Sequence, residues 1–334
     1  MAAFSRELGI DLGTFNTQIA EGNQILIQEP TIVAIVKDEM KLVEYGTTAL
    51  GMLGRVPDSI EVVRPLRNSV IAEYELTEKL LGILIRRVTG PTIFFRPRIL
   101  ISVPYGITSV ERRAVQEAGL GAGSRDVNWI PQPLAAAIGV DLPINTPTGN
   151  MIISAGGGTT QAAVISMSGI VSAETTHTAG LKLDDAICAY VRKKYGLIIA
   201  QPTAEALKIR IGAALPSDEE KTMEIQGQDQ VSGLPKPASL TTNEIVEALQ
   251  DPLSDIAYTT KRVLEKTPPE LISDIIDRGV ALCGGTALLK GLDKYLTLTL
   301  GIPVYVVDNP VTCTVEGTAK AFGLLDVILR GQQG

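Results

Sequence analysis

At 334 residues, 45% of them apolar, the chain is long enough to build two domains of ordinary size around substantial cores. A net charge of −7, a pI of about 5.0 and the absence of any basic run argue against a nucleic-acid partner. One histidine (His177) and three widely spaced cysteines (Cys188, Cys283, Cys313) exclude a zinc-type cluster, and no apolar run reaches the length of a membrane span. The cysteines read as buried thiols of a reducing cytoplasm. Too few residues precede the first strand for a secretion signal, and Ala2 is not the glycine that myristoylation needs.

From the N-terminus, residues 8–11, 17–20 and 24–28 read as consecutive strands, with Gly22-Asn23 marking the second turn, and 31–36 is a further β-branched run. Residues 50–65 are polar and interrupted by Gly51, Gly54, Pro57 and Pro65, and are expected to be irregular. Leu80, Leu81, Leu84, Ile85 and Val88 recur at helical spacing, which predicts a helix over 77–88. Gly90-Pro-Thr-Ile-Phe-Phe-Arg-Pro97 reads as a loop, because prolines bracket its apolar residues. With Arg86, Arg87, Arg96 and Arg98 around them, Ile93, Phe94 and Phe95 either enter an anionic membrane surface or cap a nearby core.

Residues 98–103 form the next expected strand. Thr108-x-x-Glu111 is a capping box opening a helix to about Gly119, and Pro131-Gln132-Pro133 leads into an Ala-rich helix over 134–139. Residues 143–149 (P-I-N-T-P-T-G) look like a linker and mark a domain boundary. Helices are expected over 183–195 and 203–213, with Glu205 and Lys208 on one face. Residues 216–237 have hairpin character at best. Thr241-x-x-Glu244 caps a long helix to about Lys266, which Thr267-Pro-Pro-Glu270 stops. A strand over 279–283 then runs into Gly284-Gly285-Thr286 and a helix from about Ala287, a turn suited to an anion or a ribose. A strand over 303–307 and a terminal helix over 315–329 complete an alternating pattern, so the class is α/β.

Two stretches carry the chemistry. Residues 151–163 (M-I-I-S-A-G-G-G-T-T-Q-A-A) read as strand, tight turn and strand, with Gly156, Gly157 and Gly158 free to adopt positive φ and to bring backbone N–H groups close to a ligand. Thr159 and Thr160 add hydroxyl donors, so phosphate is the natural guest. Residues 8–20 (L-G-I-D-L-G-T-F-N-T-Q-I-A) repeat the arrangement about 140 residues earlier, which suggests an internal duplication. Without a gap, Asp11 falls on Ser154, Gly13 on Gly156, Asn16 on Thr159, Thr17 on Thr160 and Gln18 on Gln161. The bland reading is a pair of ordinary Gly-rich hairpins; the matched pair favours a phosphate grip.

These motifs together resemble the actin-like ATPase superfamily, and within it the MreB-like bacterial actins. The likeness covers nearly the whole chain: L-G-I-D-L-G-T-F-N-T and G-G-G-T-T are joined by V-R-P-L at 63–66, V-E-R-R-A-V at 110–115, T-A-E-A-L-K-I at 203–209, T-P-P-E-L at 267–271 and C-G-G-T-A-L-L-K-G-L at 283–292. The resemblance implies an actin-like fold of two domains, 1–143 with 313–334 and 144–312, each with a mixed sheet and flanking helices, clamping ATP and Mg2+ in the cleft between them. It places Thr14, Phe15, Asn16 and the turn at Gly156, Gly157, Gly158, Thr159 and Thr160 on the phosphates. Glu205 and Lys208 fall on the nucleoside side, and Gly284, Gly285 and Thr286 at adenine and ribose. Asp11 falls near the metal, reached through water. It also implies filaments on the inner face of the cell membrane, with Ile93, Phe94 and Phe95 as the inserting loop, and cell-wall elongation membrane proteins as partners.

The chain departs from the family on the hydrolytic side. The family's second loop usually begins with Asp and ends with an acid, where this chain has Ser154 and Gln161; Gln132 stands where Glu is usual; Thr286 replaces a third glycine; Leu181-Lys182 replaces an acidic pair. Gln132 and Gln161 remain able to orient a water, but neither is a carboxylate base. Loss of such a group costs about 10²–10⁴-fold in rate, so hydrolysis is expected to be slow, unless Gln132 alone suffices. The leading expectation is an ATP-binding cytoskeletal protein that sets cell shape. The alternatives are an auxiliary paralogue co-polymerising with a hydrolysis-competent filament, and a small-molecule kinase, for which no acceptor-directed Asp is a persuasive candidate.

Overall fold

The computed structural model describes residues 6–90 and 96–325. The membrane-loop residues Ile93, Phe94 and Phe95 lie outside the described residues. Strands β1 (Glu7–Leu12), β2 (Asn16–Glu21) and β3 (Gln24–Pro30) form an antiparallel meander. A small layer follows: β4 (Val33–Val36), β5 (Lys41–Tyr45), helix α1 (Gly46–Met52) and β6 (Ile60–Val63). The segment expected to be irregular therefore holds the end of α1 and all of β6. Polarity hid them, but Ile60 and Val62 pack on Ile32, Ala34 and Ala49, and that burial offsets the weak local propensity.

A two-strand hairpin, β7 (Leu66–Arg67) and β8 (Val70–Ile71), leads to α2 (Tyr74–Thr89), then β9 (Arg98–Val103), α3 (Ser109–Gly121), β10 (Asp126–Pro131) and α4 (Gln132–Gly139). Helix α3 carries the expected capping box: Glu111 N–H donates to Thr108 Oγ1 (3.2 Å) and Thr108 N–H to Glu111 Oε2 (2.7 Å).

The second half repeats the plan with β11 (Asn150–Ala155), β12 (Thr160–Ser166), β13 (Gly169–Thr176) and α5 (Gly180–Tyr195). A side layer holds β14 (Leu197–Ile198), α6 (Gln201–Ile211) and the hairpin β15 (Thr222–Asp229) and β16 (Pro235–Thr241). Then come α7 (Thr242–Glu265), α8 (Pro269–Arg278), β17 (Val280–Cys283), α9 (Leu292–Leu300), β18 (Val304–Val306) and α10 (Cys313–Lys320). The helix expected from Ala287 is only a 3₁₀ turn, Gly285–Leu288, with α9 beginning after Gly291. The terminal helix tightens into a 3₁₀ turn at Ala321–Leu324.

The two principal sheets share one connectivity. The first runs β3-β2-β1-β9-β10 and the second β13-β12-β11-β17-β18, antiparallel on one side of the leading strand and parallel on the other. The duplicated registers agree residue for residue: Asp11 pairs with Gln18 and Leu12 with Thr17, as Ser154 pairs with Gln161 and Ala155 with Thr160.

Separate apolar cores lie under the sheets, one around Ile10, Leu80, Leu84 and Ile101, the other around Ile153, Leu183, Leu253 and Leu282. Helices α4 and α10 join them by exchanging sides. Helix α4 leaves β10 yet packs Leu134 and Ala135 with Ile152 and Ala163 of the second sheet. Helix α10 follows β18 yet sets Val315 and Ala319 against Ala20 of the first. Their crossing is tight enough to require glycine: a Cβ on Gly139 falls 1.9 Å from Cys313 O, and one on Gly317 falls 1.8 Å from Ala135 O.

Candidate functional site

The leading strands of both sheets end in the two glycine hairpins, and the exchange of helices brings those hairpins face to face. Each is closed by the same bond: Gly13 N–H donates to Asn16 O (3.1 Å), and Gly156 N–H to Thr159 O (2.9 Å). The expected positive φ is not used by Gly156, Gly157 or Gly158. Close approach is what demands glycine here. A Cβ on Gly157 stands 2.5 Å from Phe15 Cβ, and one on Gly158 stands 2.3 Å from Thr14 Oγ1. The loops therefore touch each other, and they divide the space between the domains into two cavities of about 400 and 580 Å³.

The smaller cavity collects most of the expected residues. Asp11, Thr14, Phe15, Asn16 and Gln132 line it from the first half, and Gly156, Gly157, Thr159 and Gln161 from the second loop. Glu205 and Lys208 of α6, with Gly284, Gly285 and Thr286, line its far end. Gly158 faces the larger cavity instead. Thr160 faces neither: fully buried, it donates to Thr178 O (2.7 Å), so its hydroxyl serves the sheet and not a ligand. Thr286 Oγ1 donates to Gly156 O (2.7 Å), which ties the far-end turn to the second loop.

Several lining residues were not read from the sequence. Ser69 sits in the β7–β8 turn, where Asn68 (φ 51°) and Ser69 (φ 61°) are both left-handed. Its N–H donates to Thr14 Oγ1 (2.6 Å), and its hydroxyl lies 3.1 Å from Thr159 Oγ1. One serine thus bridges the two loops. The signal was an Asn-led two-residue turn between short apolar runs. Ile209 (73% exposed) and Leu288 (63% exposed) present apolar surface to the same cavity. Arg64 lays its guanidinium 4.7 Å over the Phe15 ring.

The charged groups are unevenly satisfied. Lys208 Nζ contacts Asp184 Oδ1 (2.7 Å) and donates to Gly180 O (2.9 Å). Burial pushes the Asp184 carboxyl up to about 6 against the pull of Lys208. Burial also raises the Asp11 carboxyl, while hydrogen bonds from Ser102 Oγ (2.5 Å) and Gln132 Nε2 (3.2 Å) oppose it. Among the described residues no cationic side chain forms an ion pair with Asp11, and no cluster of three or more His, Cys, Asp or Glu stands ready to cage a metal. A buried carboxylate without a counter-charge fits a divalent cation held mainly by a ligand's own oxygens and water. Cys283 and Cys313 are buried as expected; Cys188 is only half-buried.

No helix among the described residues is long and apolar enough to cross a membrane. The family model for the MreB/Mbl protein matches residues 5–329. The cell shape-determining protein MreB of Escherichia coli K12 is 45% identical over 331 residues, covering 97% of this chain and 95% of that one. The cell shape-determining protein Mbl of Bacillus subtilis is 42% identical over 324 residues, covering 97% of each. The crystal structure of MreB 5 of Spiroplasma citri bound to AMPPNP superposes with a TM-score of 0.92 at 33% identity, covering 99% of both chains. With this fold, this connectivity and these relatives, the chain belongs to the MreB/Mbl family of actin-like proteins.

Proposed function

We propose that this chain is a nucleotide-dependent filament protein of the bacterial cell-shape cytoskeleton, binding ATP with Mg2+ between its two halves and hydrolysing it slowly. The observation that carries the reading is the meeting of two equivalent hairpins over one cleft that is also lined by the exposed apolar side chains Ile209 and Leu288. A triphosphate suits the loop end, where Thr14, Asn16 and Thr159 offer hydroxyl, amide and backbone donors. Adenine suits the apolar surface of Ile209 and Leu288, with Glu205 and Lys208 beside the ribose. Asp11 holds the metal's water shell; the metal, when bound, screens phosphate charge. The AMPPNP complex of the Spiroplasma relative supports nucleotide binding.

The halves 1–143 with 313–334 and 144–312 close on the nucleotide by rotation about the α4–α10 crossing, and closure favours head-to-tail assembly into open filaments. Ile93, Phe94 and Phe95 anchor the filament to the inner membrane face, each loop weak and the array strong. Membrane proteins of cell-wall elongation are its partners, and the protein is cytoplasmic, peripheral to the membrane. The neutral Ser154 and Gln161 also suit an auxiliary role beside a faster family member.

Light scattering with ATP, ADP or no nucleotide, with and without anionic liposomes, tests this reading. Assembly with ATP and co-sedimentation lost on Phe94→Ser with Phe95→Ser are expected. Equal assembly without nucleotide counts against the nucleotide role, and undiminished pelleting of the double variant against the loop.

A further inference from the structure

Four polar groups behind the loops form one directed chain. Tyr105 N–H donates to Gln161 Oε1 (2.7 Å), Gln161 Nε2 donates to Gln132 Oε1 (2.5 Å), and Gln132 Nε2 donates to Asp11 Oδ1 (3.2 Å). Both amides are buried, Gln161 at 1% and Gln132 at 7% exposure. The backbone carbonyl of Tyr105 is itself held by Thr175 Oγ1 (3.1 Å), so the chain is anchored in both halves of the molecule.

Its polarity is not free. A backbone N–H can only donate, so Gln161 must turn its oxygen to Tyr105 and its NH2 to Gln132. Gln132 must then accept with its oxygen and donate onward to Asp11. Resting on the nucleotide-binding reading above, we propose that Gln161 is a positioning residue that withholds the Gln132 carbonyl from the attacking water. In hydrolysis the water oxygen bonds to the terminal phosphorus, the bridging oxygen leaves with its electron pair, and the water's proton passes to an acceptor or to solvent. Such a water needs an acceptor to aim its lone pair. The relay turns the Gln132 oxygen toward Gln161 and the Gln132 NH2 toward Asp11, so the side facing Asp11 offers a donor instead.

A carboxylate at position 161 reverses the relay. Glutamate accepts from Tyr105 N–H with one oxygen and from the Gln132 NH2 with the other. The Gln132 oxygen then faces the Asp11 carboxylate. Two facing acceptors are satisfied only by a donor between them, and water is that donor.

The test compares the wild type with Gln161→Glu and, as a second variant that supplies the acceptor directly, Gln132→Glu. Single-turnover hydrolysis of ATP with Mg2+, nucleotide affinity by fluorescence titration, and side-chain amide NMR of glutamine-labelled, nucleotide-free protein are measured on each. Both variants are expected to hydrolyse at least about tenfold faster than the wild type. Gln161→Glu should gain with rising pH as its new carboxyl ionises. In the nucleotide-free spectrum the wild type should show protected NH2 groups for Gln132 and Gln161; Gln161→Glu should lose the second and shift the first. Hydrolysis within twofold of wild type in both variants, with ATP bound normally, overturns the proposal, as does an unmoved Gln132 amide signal in Gln161→Glu. A wild type that already hydrolyses rapidly also overturns it. Failure of the wild type to bind ATP at all refutes the nucleotide reading itself.

Discussion

Replacing Gly158 with alanine tests the contact between the loops. The new Cβ would stand 2.3 Å from Thr14 Oγ1, 2.8 Å from Thr14 Cβ and 3.2 Å from Thr14 Cγ2. Non-bonded contact begins near 3.5 Å, so the loops must part by about 1 Å. Thr14 has little room to rotate away, because its hydroxyl accepts from Ser69 N–H at 2.6 Å. Overpacking of this kind costs about 1–3 kcal/mol, and the weakened buried hydrogen bond adds about 1 kcal/mol. If about 2 kcal/mol of that total falls on the closed, nucleotide-gripping state, affinity for ATP drops about 30-fold. Equilibrium titration with a fluorescent ATP analogue reads the affinity, and thermal unfolding reads the fold. Adding Thr14→Gly removes the obstructing side chain, so the double variant should recover stability with a coupling of about 1–2 kcal/mol, but not affinity, since the hydroxyl is gone. Wild-type affinity and melting in Gly158→Ala would refute the close approach of the two loops.

Three other perturbations follow from the same geometry. Ser69→Gly relaxes a left-handed turn by about 1 kcal/mol and should raise the melting temperature slightly, yet ATP should dissociate faster because the bridge to Thr159 is lost; unchanged dissociation would remove Ser69 from the grip. Gly317→Ala drives a methyl into Ala135 O and should cost about 3 kcal/mol in denaturant unfolding, whereas a neutral result would contradict the tight α4–α10 crossing. Asp184, raised in the folded state from 3.8 to about 6, contributes stability that is fully present below pH 3.8 and lost as pH rises through 6. That displacement corresponds to at most about 3 kcal/mol, so unfolding free energy in Asp184→Asn should fall less between pH 5 and pH 7.5 than in the wild type; parallel pH curves would show the carboxyl unperturbed.

Much of this architecture was legible because its signals are local. The capping boxes at Thr108 and Thr241 need only their own turn, and the gapless match of Asp11–Gln18 to Ser154–Gln161 reappears as identical strand register. What escaped depends on neighbours distant in sequence. Strand β6 forms because Ile60 and Val62 find Ala34 and Ala49, and its glycine- and proline-flanked surroundings give no hint of that. The glycines of the second loop stand out in the sequence for backbone freedom and close approach to a ligand; that Phe15 presses on Gly157 and Thr14 on Gly158 requires both halves to be folded. Ser69 and Asp184 reach the cleft only through tertiary packing, and the polarity of the Gln161–Gln132 relay is set by a backbone N–H more than fifty residues away.

The most direct measurement is calorimetric titration of the full chain with ATP, ADP and AMP, each with Mg2+ and with EDTA. Two loops gripping one polyphosphate predict a single site whose affinity falls from ATP and ADP to AMP and weakens when the metal is chelated. AMP binding as tightly as ATP, or no binding of any of the three, would contradict it.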